Sequence, residues 1–183
     1  MDRTRFRKAA CVPRIDADGV DSGRRTHPPD PRRRTLLSAR ASVHYLDSSV
    51  LAAILLRDPE SERAEKLLLS LRGEPQLISH WTGVEVSSAI ARRLRMREIS
   101  VRDAARARQA YDEEFVAKHD VLMLNAADYL RARSLLAIDG TRLRAGDALH
   151  LAVALNHGVS TFRTLDKDLR ELAVESGLSA PAI

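Results

Sequence analysis

The stretch Val43-His44-Tyr45-Leu46-Asp47-Ser48-Ser49 decides the fold of this chain. Its apolar run at 43–46 is typical of a short strand, and this run ends in an acid, Asp47. Apolar residues then recur at the spacing of one helix face, namely at Val50, Leu51, Ile54 and Leu55. The stretch therefore predicts a strand that leads directly into a helix, with Asp47 at the junction.

The same alternation of short apolar runs and helical segments continues to the end of the chain. Further strands are predicted at 77–79, 121–124 and 159–162. Helix starts are predicted near Asp58, Thr82, Ser100, Asn125, Gly146 and Asp166. Strands that alternate with helices favour an α/β domain with a mainly parallel sheet. With 183 residues, 44% of them hydrophobic, one such domain and a tail are expected.

The tail is residues 1–40, which carry eleven Lys or Arg against five Asp or Glu. Because proline and arginine are frequent there and no apolar periodicity appears, a disordered basic extension is predicted. Two interpretations stay open, an electrostatic arm for RNA or a translation start placed too early, with the true start at Val43. Residues 41–183 hold nineteen basic against twenty acidic residues, so the pI near 9.9 does not mark the domain as a basic nucleic-acid binder.

Cysteine content and hydropathy indicate the cellular compartment in which the protein is expected. Cys11 is the only cysteine, so neither a disulfide framework nor a cysteine-based zinc site is expected. No apolar stretch approaches the roughly 18 residues that a membrane span needs, and the N-terminus lacks the apolar core of a secretory signal. The sequence therefore predicts a cytoplasmic protein that does not associate with a membrane.

Four acids stand where an open parallel sheet gathers its ligands, beyond the carboxyl ends of the strands. Asp47 ends the first predicted strand and Asp166 follows the fourth, while Glu85 and Asp147 lie in the first turns of two predicted helices. Carboxylates brought together repel one another unless a cation neutralises them, and oxygen ligands suit Mg²⁺ or Mn²⁺. A metal held there can bind a phosphodiester oxygen and lower the pKa of a water, which is the chemistry of a nuclease.

Each acid also has a purely local interpretation. Glu85 can complete a capping box with Thr82, and Asp166 can cap the last helix. Asp147 can favour a helix N-terminus through the helix dipole. Asp47 is harder to explain in this way, because aspartate is depleted in strands. From the residues alone, the shared metal site and the local interpretation both stay open.

Four segments carry a more specific signal when they are taken together. They are Tyr45-Leu46-Asp47-Ser48-Ser49, Val84-Glu85-Val86, Gly146-Asp147-Ala148-Leu149-His150-Leu151-Ala152 and Thr164-Leu165-Asp166, in this order. In residue types, order and spacing they resemble PIN-domain toxins of the VapC type. The resemblance covers residues 43–183 and implies a PIN-like three-layer α/β/α fold with a short, mainly parallel central sheet. It also implies a Mg²⁺- or Mn²⁺-dependent endoribonuclease, the toxin of a toxin–antitoxin module.

The resemblance further implies a role for each matching residue. The implied catalytic residues are Asp47 and Asp147 as principal metal ligands, Asp166 as a direct or water-mediated ligand, and Glu85 as a ligand or as the base that activates water. Ser49 and Thr164 are implied to orient the carboxylates. The implied partners are an RNA substrate, an inhibiting VapB-like antitoxin and a second copy of the chain in a homodimer. The number of metal ions, one or two, stays open.

Arginines and one histidine add further candidates. Arg142 and Arg144 precede Asp147 and are placed to hold RNA phosphates beside it. A run of seven arginines at 92–108 is either a second RNA contact or a solvated helix face. His150, one helical turn after Asp147, is either a proton shuttle or a packed core residue.

Two rival functions compete with the nuclease. A phosphatase of the haloacid-dehalogenase type also begins with an acid at a strand end, but it needs a second aspartate two residues later, where this chain has Ser49. A catalytically inactive PIN-like module that binds RNA or another protein is the alternative from a different class. The presence of all four acids speaks against that alternative.

Overall fold

The computed structural model describes residues 42–183 of the chain. The predicted disordered extension at 1–40 lies outside the described residues, and so does the choice between its two interpretations. Within 42–183, no helix is both long enough and apolar enough to cross a membrane.

Four short strands form one parallel sheet. They are β1 (His44–Leu46), β2 (Gln76–Ser79), β3 (Asp120–Leu122) and β4 (Thr161–Arg163), in the order β3-β2-β1-β4. In the register, Tyr45 of β1 pairs with Leu77 of β2 on one side and with Phe162 of β4 on the other. Because all four strands are parallel, their carboxyl ends lie at one edge of the sheet. The predicted α/β class with a parallel central sheet is confirmed.

Helices follow the strands along the described part of the chain. They are α1 (Ser48–Leu56), α2 (Ser61–Ser70), α3 (His80–Arg95), α4 (Val101–Ala110), α5 (Ala126–Leu136), α6 (Ala145–Asn156) and α7 (Lys167–Glu175). A π-helical segment, Tyr111–Val116, continues α4. Ser100 and Asn125 begin α4 and α5 with the hydrogen bonds of a capping box, as the sequence predicts.

Both faces of the sheet are covered, because consecutive strand residues point to opposite sides. Leu46 of β1 packs with α1 to α4 in one buried cluster, which also includes Ile78 of β2. Tyr45 packs with α6 and α7 in a second cluster, which also includes Phe162 of β4. All four side chains are fully buried. Helices on two faces of one sheet make the three layers that the resemblance implies.

The predicted start of α2 is wrong. α2 begins at Ser61, and the residue before it contributes no side-chain cap. The carboxylate of Asp58 forms an ion pair with Arg93 of α3 instead of capping α2. The predicted local cap therefore does not form, because the Asp58 carboxylate contacts a distant helix instead.

The predicted start of α3 is also wrong. α3 begins at His80, and its capping box joins Ser79 with Thr82. Thr82 is therefore the third helical residue, and Glu85 lies one turn beyond the cap. The capping interpretation of Glu85 fails for this reason, and its carboxylate has other partners.

Strand boundaries differ from the prediction by one or two residues. β3 covers Asp120–Leu122 rather than 121–124, and β4 covers Thr161–Arg163 rather than 159–162. Val159 is buried, but its N–H donates to the Ala154 carbonyl at 3.2 Å, so it belongs to the turn that ends α6. In the sequence, the apolar side chain of this buried turn residue could not be distinguished from that of a strand residue.

Candidate active site

The four acids reach the carboxyl-end edge of the sheet from four different elements. Asp47 directly follows β1 and caps α1, and Asp166 follows β4 and caps α7. Glu85 lies in the second turn of α3, and Asp147 lies in the first turn of α6. The parallel pairing of β1 with β4 brings the first and the last of these elements together.

Asp47 is only 3% exposed, and protein groups contact both oxygens of its carboxylate. Oδ1 accepts hydrogen bonds from the Ser49 hydroxyl at 2.6 Å, from the Ser49 backbone N–H at 3.0 Å and from the Val50 backbone N–H at 3.4 Å. Oδ2 accepts a hydrogen bond from the Thr164 hydroxyl at 2.7 Å. Burial raises the pKa of Asp47 above its ordinary value of 3.8, although His150 and these hydrogen bonds oppose the rise.

Ser49 and Thr164 connect the end of β1 to the segment that follows β4. Thr164 donates to Asp47 and accepts from the backbone N–H of Asp166 at 3.0 Å. Ser49 donates to Asp47 and accepts from the backbone N–H of Leu165 at 2.9 Å. Each hydroxyl thus donates its proton to the Asp47 carboxylate, and its oxygen accepts a hydrogen bond from a backbone N–H group that holds it in place. The structure places both residues in contact with Asp47.

Glu85 is held through one of its two oxygens. Oε2 accepts a hydrogen bond from the Ser48 hydroxyl at 2.5 Å and contacts Nε2 of His150 at 2.7 Å. Burial raises the pKa of Glu85, but the hydrogen bond and charge of His150, together with the Ser48 bond, outweigh burial. The pKa therefore lies below its ordinary value of 4.5. Glu85 is a carboxylate at neutral pH.

A chain of buried hydrogen bonds continues behind Glu85. Nδ1 of His150 lies 2.8 Å from the Tyr45 hydroxyl, which lies 2.8 Å from the hydroxyl of Ser79. Both His150 and Tyr45 are at most 1% exposed. From the sequence, His150 is either a proton shuttle or a packed core residue, and no role is predicted for Tyr45. The only signal in the sequence was the position of His150 one turn after Asp147, on the same helix.

The charges of neighbouring acids affect the pKa of Asp147. Its carboxylate is half-buried, and Oδ2 accepts a hydrogen bond from the backbone N–H of Arg144 at 3.3 Å. Burial raises the pKa of Asp147, and the charges of Asp166 and Glu85 raise it further, against the opposing effects of the Arg144 bond and His150. Three carboxylates therefore repel one another across this edge of the sheet.

Gly146 allows Glu85 to approach α6 closely. A Cβ atom at this position would collide with Oε1 of Glu85. The glycine of the Gly146-Asp147 pair thus has a steric role, since it leaves room for a carboxylate that a neighbouring helix carries.

The remaining predicted site residues are exposed. Oδ1 of Asp166 accepts from the backbone N–H groups of Asp168 at 2.8 Å and Leu169 at 3.1 Å, so its capping interpretation holds alongside its place at the sheet edge. Arg142 lies 3.8 Å from Asp168 and 3.7 Å from Glu171, both on α7. The structure places Arg142 and Arg144 on the surface before α6, without a contact that tests their predicted role.

A family model of the PIN domain matches residues 44–175. The chain belongs to the PIN-domain family. In fold it is similar to VapC20 of Mycobacterium tuberculosis, with a TM-score of 0.56 and 22% identity over 74% of this chain and 95% of that chain. It is also similar to FitAcB of Neisseria gonorrhoeae, with a TM-score of 0.59 and 22% identity over 75% of this chain and 96% of that chain.

A third structure similar to this PIN domain is VapBC2 of Rickettsia felis, with a TM-score of 0.57 and 15% identity over 77% of this chain and 98% of that chain. At these identities the likeness concerns the fold. A search among curated proteins finds no match to the sequence. The predicted PIN-type resemblance is confirmed through the family model.

The acids of the PIN domain do not converge as metal ligands in the described residues. Within 42–183, no group of three or more His, Cys, Asp or Glu side chains is close enough to hold a metal ion. The reason is local, since each acid turns to a protein donor: Asp47 to two hydroxyls, Glu85 to His150, and Asp147 and Asp166 to backbone N–H groups. The donor set is nevertheless one that suits a hard divalent cation, because it consists of carboxylate oxygens whose repulsion raises the pKa of Asp147.

Proposed function

We propose that this PIN domain is a divalent-metal-dependent endoribonuclease and the toxin component of a VapBC-like toxin–antitoxin module. The observation that carries the proposal is the placement of four carboxylates at the carboxyl ends of the parallel strands, with Asp47 after β1, Asp166 after β4, Glu85 on α3 and Asp147 on α6. Asp47 is buried there, and burial together with the charges of Asp166 and Glu85 raises the pKa of Asp147. Acids gathered in this way cost stability, and a protein keeps such groups where they bind or react with something.

The cofactor in this proposal is Mg²⁺, with Mn²⁺ as a substitute, and the residues that would hold it are Asp47, Asp147 and Asp166. When bound, such an ion supplies positive charge at the scissile phosphate and makes a nearby water more acidic. Oxygen ligands of carboxylates match both ions. The relief of carboxylate repulsion would favour binding.

The surroundings of Glu85 and Asp47 support this chemistry. Glu85 is ionised at neutral pH, and its carboxylate would accept a proton from the attacking water. The hydroxyls of Ser49 and Thr164 hold the Asp47 carboxylate at the carboxyl ends of β1 and β4. Exposed Arg142 and Arg144 would contact RNA phosphates beside these acids.

Similar structures support the assignment to a toxin–antitoxin module. VapC20 is described as a toxin that cleaves the sarcin–ricin loop, and VapBC2 was solved with a DNA fragment from its promoter. For this chain we propose a VapB-like antitoxin, an RNA substrate and a homodimer, all in the cytoplasm. The antitoxin would dock at the cavity of about 1000 Å³ that Ile54, Leu55 and Leu68 of α1 and α2 help to line.

The test uses purified protein, freed of any antitoxin, with total RNA in Mg²⁺, in Mn²⁺ or in chelator. We expect cleavage that requires the metal and that disappears in Asp47→Asn and in Asp147→Asn. Asp139→Asn is the matched control, because Asp139 is an exposed aspartate outside the site. If wild type binds RNA but cleaves nothing in either metal, the inactive PIN-like module becomes the better explanation.

A further inference from the structure

Both carboxylate oxygens of Glu85 are restrained. Oε2 meets Ser48 and His150. Oε1 lies against Gly146, where a side chain would collide with it. These contacts come from α1 and α6, so two helices packed against α3 determine where this carboxylate points. A side chain on a helix surface would otherwise sample several rotamers.

The hydrogen bonds behind His150 form an unbroken chain from Glu85 to Ser79. An ionised Glu85 can only accept, so Nε2 of His150 carries the proton that points at it. Nδ1 of His150 and the Tyr45 hydroxyl share the next bond, and the hydroxyls of Tyr45 and Ser79 share the one after it. Every member of the chain therefore has a partner.

This chain is more than the fold needs for packing. Tyr45 belongs to the second apolar cluster, and the two clusters already cover both faces of the sheet, so packing alone does not require the polar atoms of Tyr45 and His150. Buried polar groups cost free energy unless all of them are paired, and a paired network fixes its members in one arrangement. The chain ends on Oε2 of Glu85, which also accepts a hydrogen bond from Ser48.

We propose that His150 and Tyr45 are positioning residues for Glu85: Tyr45 fixes the ring of His150, and His150 fixes the direction of the Glu85 carboxylate. The catalytic meaning of this arrangement rests on the proposed nuclease function. The orientation itself does not rest on that function, because it is a property of the protein without substrate or metal.

The kinetic test compares Tyr45→Phe, His150→Gln and His150→Leu on a short mixed-sequence RNA that carries a fluorophore and a quencher, in Mg²⁺. Tyr45→Phe keeps the ring and removes the hydroxyl, and it should lower kcat by about tenfold with KM unchanged. His150→Leu should lower kcat by about 100-fold. His150→Gln can still donate to Glu85 and accept from Tyr45, so it should retain more activity than His150→Leu.

Phe162→Leu is the matched packing control, because Phe162 stacks on Tyr45 at 5.6 Å between ring centroids but takes no part in the hydrogen bonds. We expect a lower thermal midpoint with kcat close to wild type. If the role of Tyr45 is purely structural, Tyr45→Phe should behave like Phe162→Leu. Both variants would then have a lower thermal midpoint and an unchanged kcat. That result would overturn the proposal.

A second readout does not depend on activity. The ¹⁵N chemical shifts of the His150 ring in the metal-free protein report which nitrogens carry protons, and we expect a protonated Nε2 in wild type and a perturbed ring in Tyr45→Phe. A proton on Nδ1 alone would leave Nε2 unable to donate to Glu85 and would overturn the proposal. If wild type shows the expected ring state but cleaves no RNA, the proposed function fails and the orientation stands. If wild type cleaves RNA and Tyr45→Phe and His150→Leu match its kcat, the positioning role fails and the function stands.

Discussion

Glu85 and His150 are 65 positions apart in the chain, and their side chains meet with 2.7 Å between Oε2 and Nε2. This contact separates the acids of the site into two kinds. The pKa of Glu85 is lowered, whereas burial raises the pKa of Asp47 and of Asp147. When environments push the pKa values of neighbouring acids apart, the acids can serve different roles. Here the surroundings stabilise the charged form of Glu85 and destabilise the charged forms of Asp47 and Asp147.

The Asp47→Asn variant should be more stable than wild type when no metal is present. An ionised carboxylate at this buried position is costly, and asparagine has the same shape without the charge. We expect a rise of the thermal midpoint in chelator near neutral pH, by about 2–4 °C for each kcal/mol gained. Calorimetry measures it, and a lower midpoint than wild type would contradict the prediction.

The pH dependence of the same variant has a definite sign. The folded protein holds the Asp47 proton more tightly than the unfolded chain, so this group contributes stability below its ordinary pKa of 3.8. That contribution is lost as pH rises through the raised pKa of the folded state. The free energy of unfolding of wild type should therefore fall relative to Asp47→Asn as pH rises through this window. Urea unfolding in chelator measures the difference, and parallel curves would contradict it.

Gly146→Ala should reduce cleavage without unfolding the protein. Alanine is the better helix former, but its Cβ atom would displace Oε1 of Glu85. We expect kcat to fall by roughly tenfold, with the thermal midpoint close to wild type. Gly83→Ala is the matched control, since its Cβ atom would meet the Tyr111 hydroxyl at 2.8 Å and none of the acids. Equal losses in the two variants would show that crowding in general, and not Glu85, is responsible.

Thr164→Val should weaken metal binding. The change keeps the shape and removes the hydroxyl that donates to Asp47 and accepts from the Asp166 backbone. Losing such a contact behind a metal ligand costs about 10–100-fold in affinity. Titration calorimetry with Mn²⁺ measures the change. Thr161→Val, a buried threonine on β4 whose hydroxyl contacts none of the acids, should bind Mn²⁺ as wild type does.

Reversing the charges of Arg142 and Arg144 together should weaken RNA binding. If each contacts one phosphate, the slope of log affinity against log salt should become shallower by about 0.7 per contact on single-stranded RNA. Fluorescence anisotropy in the Asp147→Asn background, at several salt concentrations, measures binding without cleavage. Arg133→Glu, on the exposed side of α5, is the control. An unchanged slope in the double variant would remove both arginines from the RNA site.

Much of the fold could be predicted because its signals are local. The alternation of short apolar runs with helical periodicity predicts the parallel α/β class, and the caps at Ser100 and Asn125 follow from residue types a few positions apart. The starts of α2 and α3 could not be predicted in the same way. Asp58 contacts Arg93 in the folded protein, and Ser79 is at once the last residue of β2 and the cap of α3.

The amino-acid sequence by itself determined the order of strands and helices and the positions of the four acids after strands and at helix starts, because periodicity and chain order suffice for both. Only the tertiary structure decided which atoms meet. Thr164 reaches Asp47 across 117 positions, and Ser48 reaches Glu85 across 37. Such contacts depend on strand register and helix packing, which no short window of sequence specifies. Whether a carboxylate at this edge of the sheet is ionised therefore depends on neighbours that folding alone brings to it.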